Sequence, residues 1–143
     1  MIIGGVAGGA STAARLRRLD EQAEIILFEK GEYISYANCG LPYYIGGVIE
    51  ERERLFVQTP ESFKARFNIE VRIKSEVKAI EPENKQVVIK DWATGKTYRE
   101  SFDKLVLSPG AEPVLPPWEG IRTEGIFTLR NVADTDRIKA WAG

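Results

Sequence analysis

The feature that most constrains the fold of this chain is a glycine-rich turn between a short apolar stretch and a helix-forming stretch. Residues 1–3 are apolar, residues 4–9 contain four glycines, and residues 10–19 are rich in Ala, Leu and Arg. A second, largely apolar run at residues 24–29 ends in an acid. A strand, a glycine turn, a helix and a second buried strand form a βαβ unit, which predicts a parallel sheet.

The same turn predicts a binding site for a dinucleotide. Gly4, Gly8 and Gly9 lie between strand and helix, where backbone N–H groups can bind a pyrophosphate with no side chain in the way. Val6 replaces the second glycine of the G-x-G-x-x-G pattern. Glu29 closes the second strand twenty residues after Gly9, at the place of a ribose-binding carboxylate. The alternative is a structural turn with a solvated acid.

The rest of the chain continues this alternation of helices and strands. A short helix is predicted after the loop at residues 38–42, ending at the glycines at 46 and 47. The further predicted elements are a helix over 59–67, strands over 69–73 and 76–80, a hairpin of 86–90 with 97–102, a strand over 104–108, an extended loop over 112–117 and a helix over 131–142.

Composition excludes several classes of function. The 143 residues include 20 basic and 21 acidic side chains, so no general basic surface for nucleic acid is expected. No apolar run approaches the roughly 18–20 residues of a membrane span, and residues 1–4 lack a signal-peptide layout. The absence of histidine excludes a histidine base and imidazole metal ligands in this chain, and no metal site is predicted. The single cysteine excludes an internal disulfide.

That cysteine, Cys39, has two interpretations. It is either a small buried apolar side chain or a reactive thiol. Ser35, Asn38 and Gly40 are polar or small, and a helix that starts near Leu41 would place its positive end close to the sulfur, which favours the thiolate. A reactive Cys39 has no second cysteine to pair with, so its partner is a substrate thiol or its oxidised form is a sulfenic acid.

Ser11, Arg15 and Arg18 form a third candidate group. Their spacings of four and three place them on one stripe of the first predicted helix. The stripe is either a solvated helix face or a phosphate-binding surface for an anionic ligand.

Three segments carry a resemblance to a known family. Residues 4–11 (GGVAGGAS), 33–43 (YISYANCGLPY) and 105–111 (LVLSPGA), with Glu29, resemble the FAD- and NAD(P)H-dependent pyridine nucleotide–disulfide oxidoreductases. The segment around the single cysteine is the most specific, and it looks most like coenzyme A–disulfide reductases and their per/polysulfide reductase and NADH oxidase relatives. That branch similarly tolerates a non-glycine residue at the position of Val6.

The resemblance implies an α/β fold of the FAD/NAD(P)-binding Rossmann-like type, present here in incomplete form. A central parallel sheet would have helices on one side and a β-hairpin or meander on the other. Residues 1–111 would be the first segment of an FAD-binding domain. Residues 112–143 would be a connecting loop and helix toward an NAD(P)H-binding domain that this chain lacks.

The resemblance also assigns site residues. Cys39 would be the nucleophile and redox centre beside the flavin ring. The implied FAD-binding residues are Gly4, Val6, Ala7, Gly8, Gly9, Glu29, Lys30, Asn38, Val77, Ser108, Pro109 and Gly110. The implied coenzyme A-binding residues are Ser11, Arg15, Arg18, Ser35 and Asn38. Phe67 stands where the family places a basic residue, although Lys64 and Arg66 are close in sequence.

The implied activity is reduction of coenzyme A disulfide or of a per/polysulfide by NAD(P)H, through FAD and the cysteine. The full-length protein would be a cytoplasmic homodimer with a small-molecule partner and no nucleic-acid or membrane partner, and this chain would be inactive alone. One alternative is an NADH oxidase that reduces oxygen or peroxide through a cysteine sulfenic acid. The other is a non-catalytic dinucleotide-binding module with a structural cysteine.

Overall fold

A computed structural model describes all 143 residues, and the chain divides into two compact units. The first unit comprises residues 1–36 and 58–109, and the second comprises residues 37–57 and 110–143. Each unit is therefore built from two stretches that are separated in sequence. The predicted functional boundary between residues 111 and 112 is a different division, and it stays a prediction.

Every predicted helix and strand is present, with ends that differ by a few residues. The strands are β1 (Ile2–Ile3), β2 (Ile26–Phe28), β3 (Glu70–Arg72), β4 (Ser75–Glu81), β5 (Gln86–Asp91), β6 (Thr97–Ser101) and β7 (Val106–Leu107). The α-helices are α1 (Ala7–Leu19), α2 (Leu41–Ile45), α3 (Pro60–Phe67) and α4 (Val132–Ala142). Three 3-10 helices complete the set: Asn38–Gly40, Arg52–Leu55 and Pro82–Asn84.

The first unit contains both sheets. A parallel sheet has the order β3-β2-β1-β7, and an antiparallel meander has the order β4-β5-β6. In the parallel sheet Ile2 lies opposite Leu27 on one side and Val106 on the other. In the meander the register shifts between Val77 and Ala79, so β4 carries an irregularity there.

Alternation along β1 and β2 separates two apolar clusters on the two faces of the parallel sheet. Ile2 and Leu27 pack in a buried cluster with side chains of α1 and α3, among them Ala13 and Phe63. Residues of the opposite parity, such as Phe28, pack in a second buried cluster with side chains of the meander. Helices therefore cover one face and the meander covers the other, as predicted.

The ends of α1 and α3 are tied together by a single arginine. The Arg17 guanidinium donates to the carbonyl oxygens of Phe67 (2.7 Å) and Asn68 (3.0 Å), which close α3. It also donates to the carbonyls of Asp20 (3.2 Å) and Glu21 (2.7 Å), beyond the end of α1. Arg17 thus satisfies carbonyl groups that helix ends leave without intrahelical partners.

The second unit contains α2 and α4. Asn131 caps α4 in a reciprocal capping box with Asp134, and Asp134 also accepts from the backbone N–H of Arg130 (2.9 Å). No helix of the chain is long and apolar enough to cross a membrane.

Candidate functional site

The glycine turn lies where the carboxyl ends of three parallel strands meet. The N–H of Gly4 donates to Phe28 of β2 (2.8 Å), and the N–H of Ser108 donates to Ile3 of β1 (2.8 Å). Gly4 has φ +98°, and a Cβ there would overlap the Ser108 carbonyl oxygen. A Cβ on Gly9 would overlap the Gly4 carbonyl oxygen. Glycine is needed at position 4 because the turn passes close to the backbone of Ser108, and at position 9 because α1 passes close to the backbone of Gly4.

Helix α1 begins inside this turn, at Ala7, three residues before the predicted start at Ala10. Gly8 and Gly9 are therefore part of its first turn. The helix has no side-chain cap at Val6 and no acidic residue in its first turn. Its first N–H groups consequently have no intrahelical acceptor and lie at the positive end of the helix dipole. This arrangement fits a pyrophosphate, and the residues present therefore fit the FAD that the family implies.

Glu29 holds the glycine turn as well as ending β2. One oxygen of its half-buried carboxylate accepts from the N–H of Gly5 (2.7 Å), and the other accepts from the N–H of Gly31 (2.8 Å). The Gly5 carbonyl in turn accepts from the N–H of Ser35 (2.9 Å). Each carboxylate oxygen retains a second lone pair, so ribose hydroxyls can still be bound. The sequence indicated the ribose role and missed the structural one.

Two further residues assigned to FAD, Lys30 and Val77, belong to the first unit. Val77 packs against the meander-side cluster, next to the register shift in β4. A hydrogen bond from Lys78 lowers the pKa of the neighbouring Glu76, and the Trp92 hydrogen bond and the Lys30 charge act in the same direction. The positive charge of Lys30 therefore lowers the pKa of Glu76, the residue that precedes Val77.

The two residues that follow Ser108 fall in different units. Pro109 ends the first unit and is exposed, and Gly110 begins the second stretch of the second unit with φ +74°.

The predicted anion stripe is exposed on α1. Ser11, Arg15 and Arg18 are all exposed, and neither of the two arginines has a hydrogen bond or ion pair within the protein. Arg17, by contrast, is fully engaged with backbone carbonyls. The stripe is therefore chemically available to an anion, and Arg17 is not part of it.

Phe67 does not supply the basic charge expected at its position. Its ring packs edge-on against Phe63 at 5.4 Å between centroids. The guanidinium of Arg66 lies 5.2 Å from the centre of the Phe67 ring, and Arg66 is exposed. The positive charge in this region is therefore carried by Arg66 and Lys64, which are both exposed on α3.

Cys39 lies in the second unit, and its side chain is exposed. The interpretation as a small buried apolar residue is wrong. The residue sits inside the 3-10 helix Asn38–Gly40, and the following α2 has only five residues. The predicted start of a helix near Leu41 is confirmed, because α2 begins at that residue and the 3-10 helix that contains Cys39 leads directly into it.

The neighbour of Cys39 has an unsatisfied polar atom. The side-chain oxygen Oδ1 of Asn38 is buried and has no hydrogen-bond partner. A buried acceptor without a donor is costly, so such an atom beside an exposed thiol fits a donor on a bound molecule. No group of three or more Cys, Asp or Glu side chains is placed to hold a metal ion.

The comparisons with known proteins agree with this geometry. The family model for pyridine nucleotide-disulphide oxidoreductases matches residues 1–142. The coenzyme A disulfide reductase of Staphylococcus aureus (strain JH9) is 46% identical over 138 residues, which are 96% of this chain and 31% of that protein. The chain therefore spans about a third of the length of the curated relatives it matches.

Two solved structures extend the match to the fold. The crystal structure of reduced Bacillus anthracis CoADR-RHD is 60% identical with a TM-score of 0.95, over 98% of this chain and 25% of that one. An NAD-dependent persulfide reductase from A. fulgidus is 37% identical with a TM-score of 0.91, over 99% of this chain and 26% of that one. The α/β fold is thus of the FAD/NAD(P)-binding Rossmann-like type, and the chain belongs to the pyridine nucleotide-disulphide oxidoreductase family.

Proposed function

We propose that this chain is the first segment of the FAD-binding domain of an NAD(P)H-dependent disulfide reductase, and that it carries the reactive cysteine. The substrate is coenzyme A disulfide or a per/polysulfide. The observation that carries the proposal is the exposed thiol of Cys39 beside the unpartnered buried oxygen of Asn38. The relatives named above, a coenzyme A disulfide reductase and a persulfide reductase, support the substrate class.

In this proposal most of the cofactor-binding residues belong to the first unit. The first turn of α1 binds the pyrophosphate through Gly8 and its neighbours, and Glu29 binds the adenosine ribose. Lys30, Val77, Ser108 and Pro109 are further cofactor-binding residues of this unit, and the proposal also assigns Asn38 and Gly110 to the cofactor. When bound, FAD supplies a two-electron path from NAD(P)H to sulfur.

The sulfur chemistry belongs to Cys39. Its thiolate attacks one sulfur of the substrate disulfide, so that a mixed disulfide forms and the other half leaves as a thiolate that takes up a proton. Two electrons from NAD(P)H then cleave the mixed disulfide and regenerate the Cys39 thiolate. The sum is one disulfide, one NAD(P)H and one proton converted to two thiols and NAD(P)⁺. The chain has no histidine, so this proton does not come from an imidazole of these 143 residues.

The exposed stripe on α1 supports coenzyme A as the thiol carrier. Arg15 and Arg18 have no partner within the protein and present guanidinium groups suited to phosphate. Ser11 extends the same stripe, and the resemblance to coenzyme A–disulfide reductases also assigns Ser35 and Asn38 to coenzyme A. The full-length protein would act as a cytoplasmic homodimer, and residues 112–143 would connect this segment to an NAD(P)H-binding domain.

The decisive experiment is Cys39→Ser in the full-length protein. The variant should retain bound flavin and lose NAD(P)H-dependent reduction of coenzyme A disulfide. Unchanged reduction by the serine variant would refute the assignment of Cys39. Parallel assays with polysulfide and oxygen separate the acceptors, because an NADH oxidase would consume oxygen through Cys39 and leave disulfides intact.

A second experiment tests the stripe. Replacing Arg15 and Arg18 together by Ala should raise the KM for coenzyme A disulfide at least tenfold, since each removes a charge-assisted phosphate contact. Reduction of an uncharged small disulfide should be nearly unchanged. Equal losses on both substrates would indicate damage to α1, and no loss on either would mark the arginines as a solvated face.

A further inference from the structure

Helix α4 contacts the chain on the carboxyl side of the cysteine. The ammonium group of Lys139 donates to the carbonyl oxygen of Tyr44 at 2.8 Å, in the last turn of α2. The same nitrogen lies 3.9 Å from the centre of the Tyr44 ring. Because α2 follows directly on the 3-10 helix that contains Cys39, Lys139 restrains the end of one continuous helical segment.

The same helix also contacts a second stretch that supports the cysteine. The carboxylate of Asp136 accepts two hydrogen bonds from Arg52, from Nε at 2.9 Å and from Nη2 at 2.7 Å. Arg52 begins the 3-10 helix Arg52–Leu55, and the Leu55 carbonyl accepts from the N–H of Ala37 at 2.8 Å. A paired two-bond geometry restrains direction as well as distance.

Packing connects this second stretch to the residue next to the thiol. Leu55 is fully buried, and a Cβ on Gly40 would lie 3.2 Å from its side chain. Leu55 therefore lies close to the Gly40 backbone, and a movement of Leu55 would change the packing beside the residue that follows Cys39.

Asp136 and Lys139 are three residues apart and so share one face of α4. We propose that these two side chains are positioning residues for the Cys39 thiol: they hold the segment 37–45 at both of its ends, so that the sulfur keeps the direction needed for attack. The inference rests on the proposed function of Cys39 and assigns no chemical step to either residue. Displacing a reacting group by about 1 Å can cost on the order of a hundredfold in rate.

The test uses the full-length protein with the double variant Asp136→Asn/Lys139→Met. We expect kcat for disulfide reduction to fall at least tenfold, while KM changes less than twofold. Lys139→Arg should retain most of the parental kcat, since arginine keeps both the donor and the cation above the Tyr44 ring. The matched control is Arg137→Met on the same helix, which removes only a pair with Asp134 and should leave kcat unchanged.

A second readout does not depend on turnover. Alkylation of Cys39 by iodoacetamide, followed by mass spectrometry of its peptide, should be at least threefold faster in the double variant, because the released segment lets the already exposed sulfur reach more orientations. Parental kcat and parental alkylation in the double variant would overturn the positioning role, even if the melting temperature fell. An active Cys39→Ser variant would instead refute the proposed function, and alkylation would still decide whether α4 positions the thiol.

Discussion

Replacing Glu29 by Ala should destabilise the chain before any cofactor is considered. Its two carboxylate oxygens accept from the N–H groups of Gly5 and Gly31 at 2.7 and 2.8 Å. Hydrogen bonds to charged groups contribute about 1.5–3 kcal/mol each when shielded, and we take about 1 kcal/mol each for this half-buried carboxylate. The free energy of unfolding should therefore fall by about 2 kcal/mol. The sequence pattern predicts either a ribose-binding carboxylate or a solvated acid at this position, and neither implies this contribution to stability.

Two measurements test this value. Urea unfolding of the 143-residue chain gives the global change, and amide hydrogen exchange at Gly5 gives the local one, which should be about 30-fold faster for a 2 kcal/mol loss. The control is Glu32→Ala, which removes an exposed pair with Lys74 and should cost less than about 0.5 kcal/mol. An unchanged urea midpoint together with unchanged exchange at Gly5 would refute the reasoning.

Two further predictions concern the glycine turn and the meander. Gly9→Ala should lower the free energy of unfolding by at least about 3 kcal/mol, because the added Cβ overlaps the Gly4 carbonyl oxygen. The control is Gly46→Ala, whose added Cβ would have its nearest atom at 3.5 Å, and its urea midpoint should be close to the parental one. Lys78→Met should raise the lowered pKa of Glu76 toward 4.5, as followed by carbon NMR of the carboxyl group. Because that pKa is lowered in the folded state, Glu76 contributes to folding stability above pH 4.5. This contribution is lost as the pH falls through the lowered pKa.

The order of the elements could be predicted because local pattern and tertiary structure agree. The apolar runs that became β1 and β2 are buried on both faces, and the capping residue Thr59 and Pro60 do begin α3. The start of α1 could not be placed, since glycine has a low helix propensity and Gly8 and Gly9 look like a turn in isolation. Glycine is nevertheless required at position 9 of this helix, because a Cβ there would overlap the Gly4 carbonyl oxygen.

Site residues could be predicted where the residue type itself indicates the chemistry. They could not be predicted where their role depends on tertiary contacts. A cysteine, a glycine turn and a strand-terminal acid are visible in the sequence, but the backbone partners of Glu29 depend on how two loops meet. No local pattern indicates that Asp136 and Lys139 contact the region of Cys39. A salt-bridge partner 84 residues away leaves no periodic signal.

The separation between Tyr44 and Lys139 also has a consequence during synthesis. These residues are 95 positions apart, so the cysteine segment leaves the ribosome long before α4 exists. At about 5–20 residues per second, translation leaves an interval of roughly 5–20 seconds. During that time the nascent chain presents the Cys39 thiol without the contacts that α4 provides, so thiol–disulfide exchange with small disulfides in the surrounding medium is most favoured in this interval.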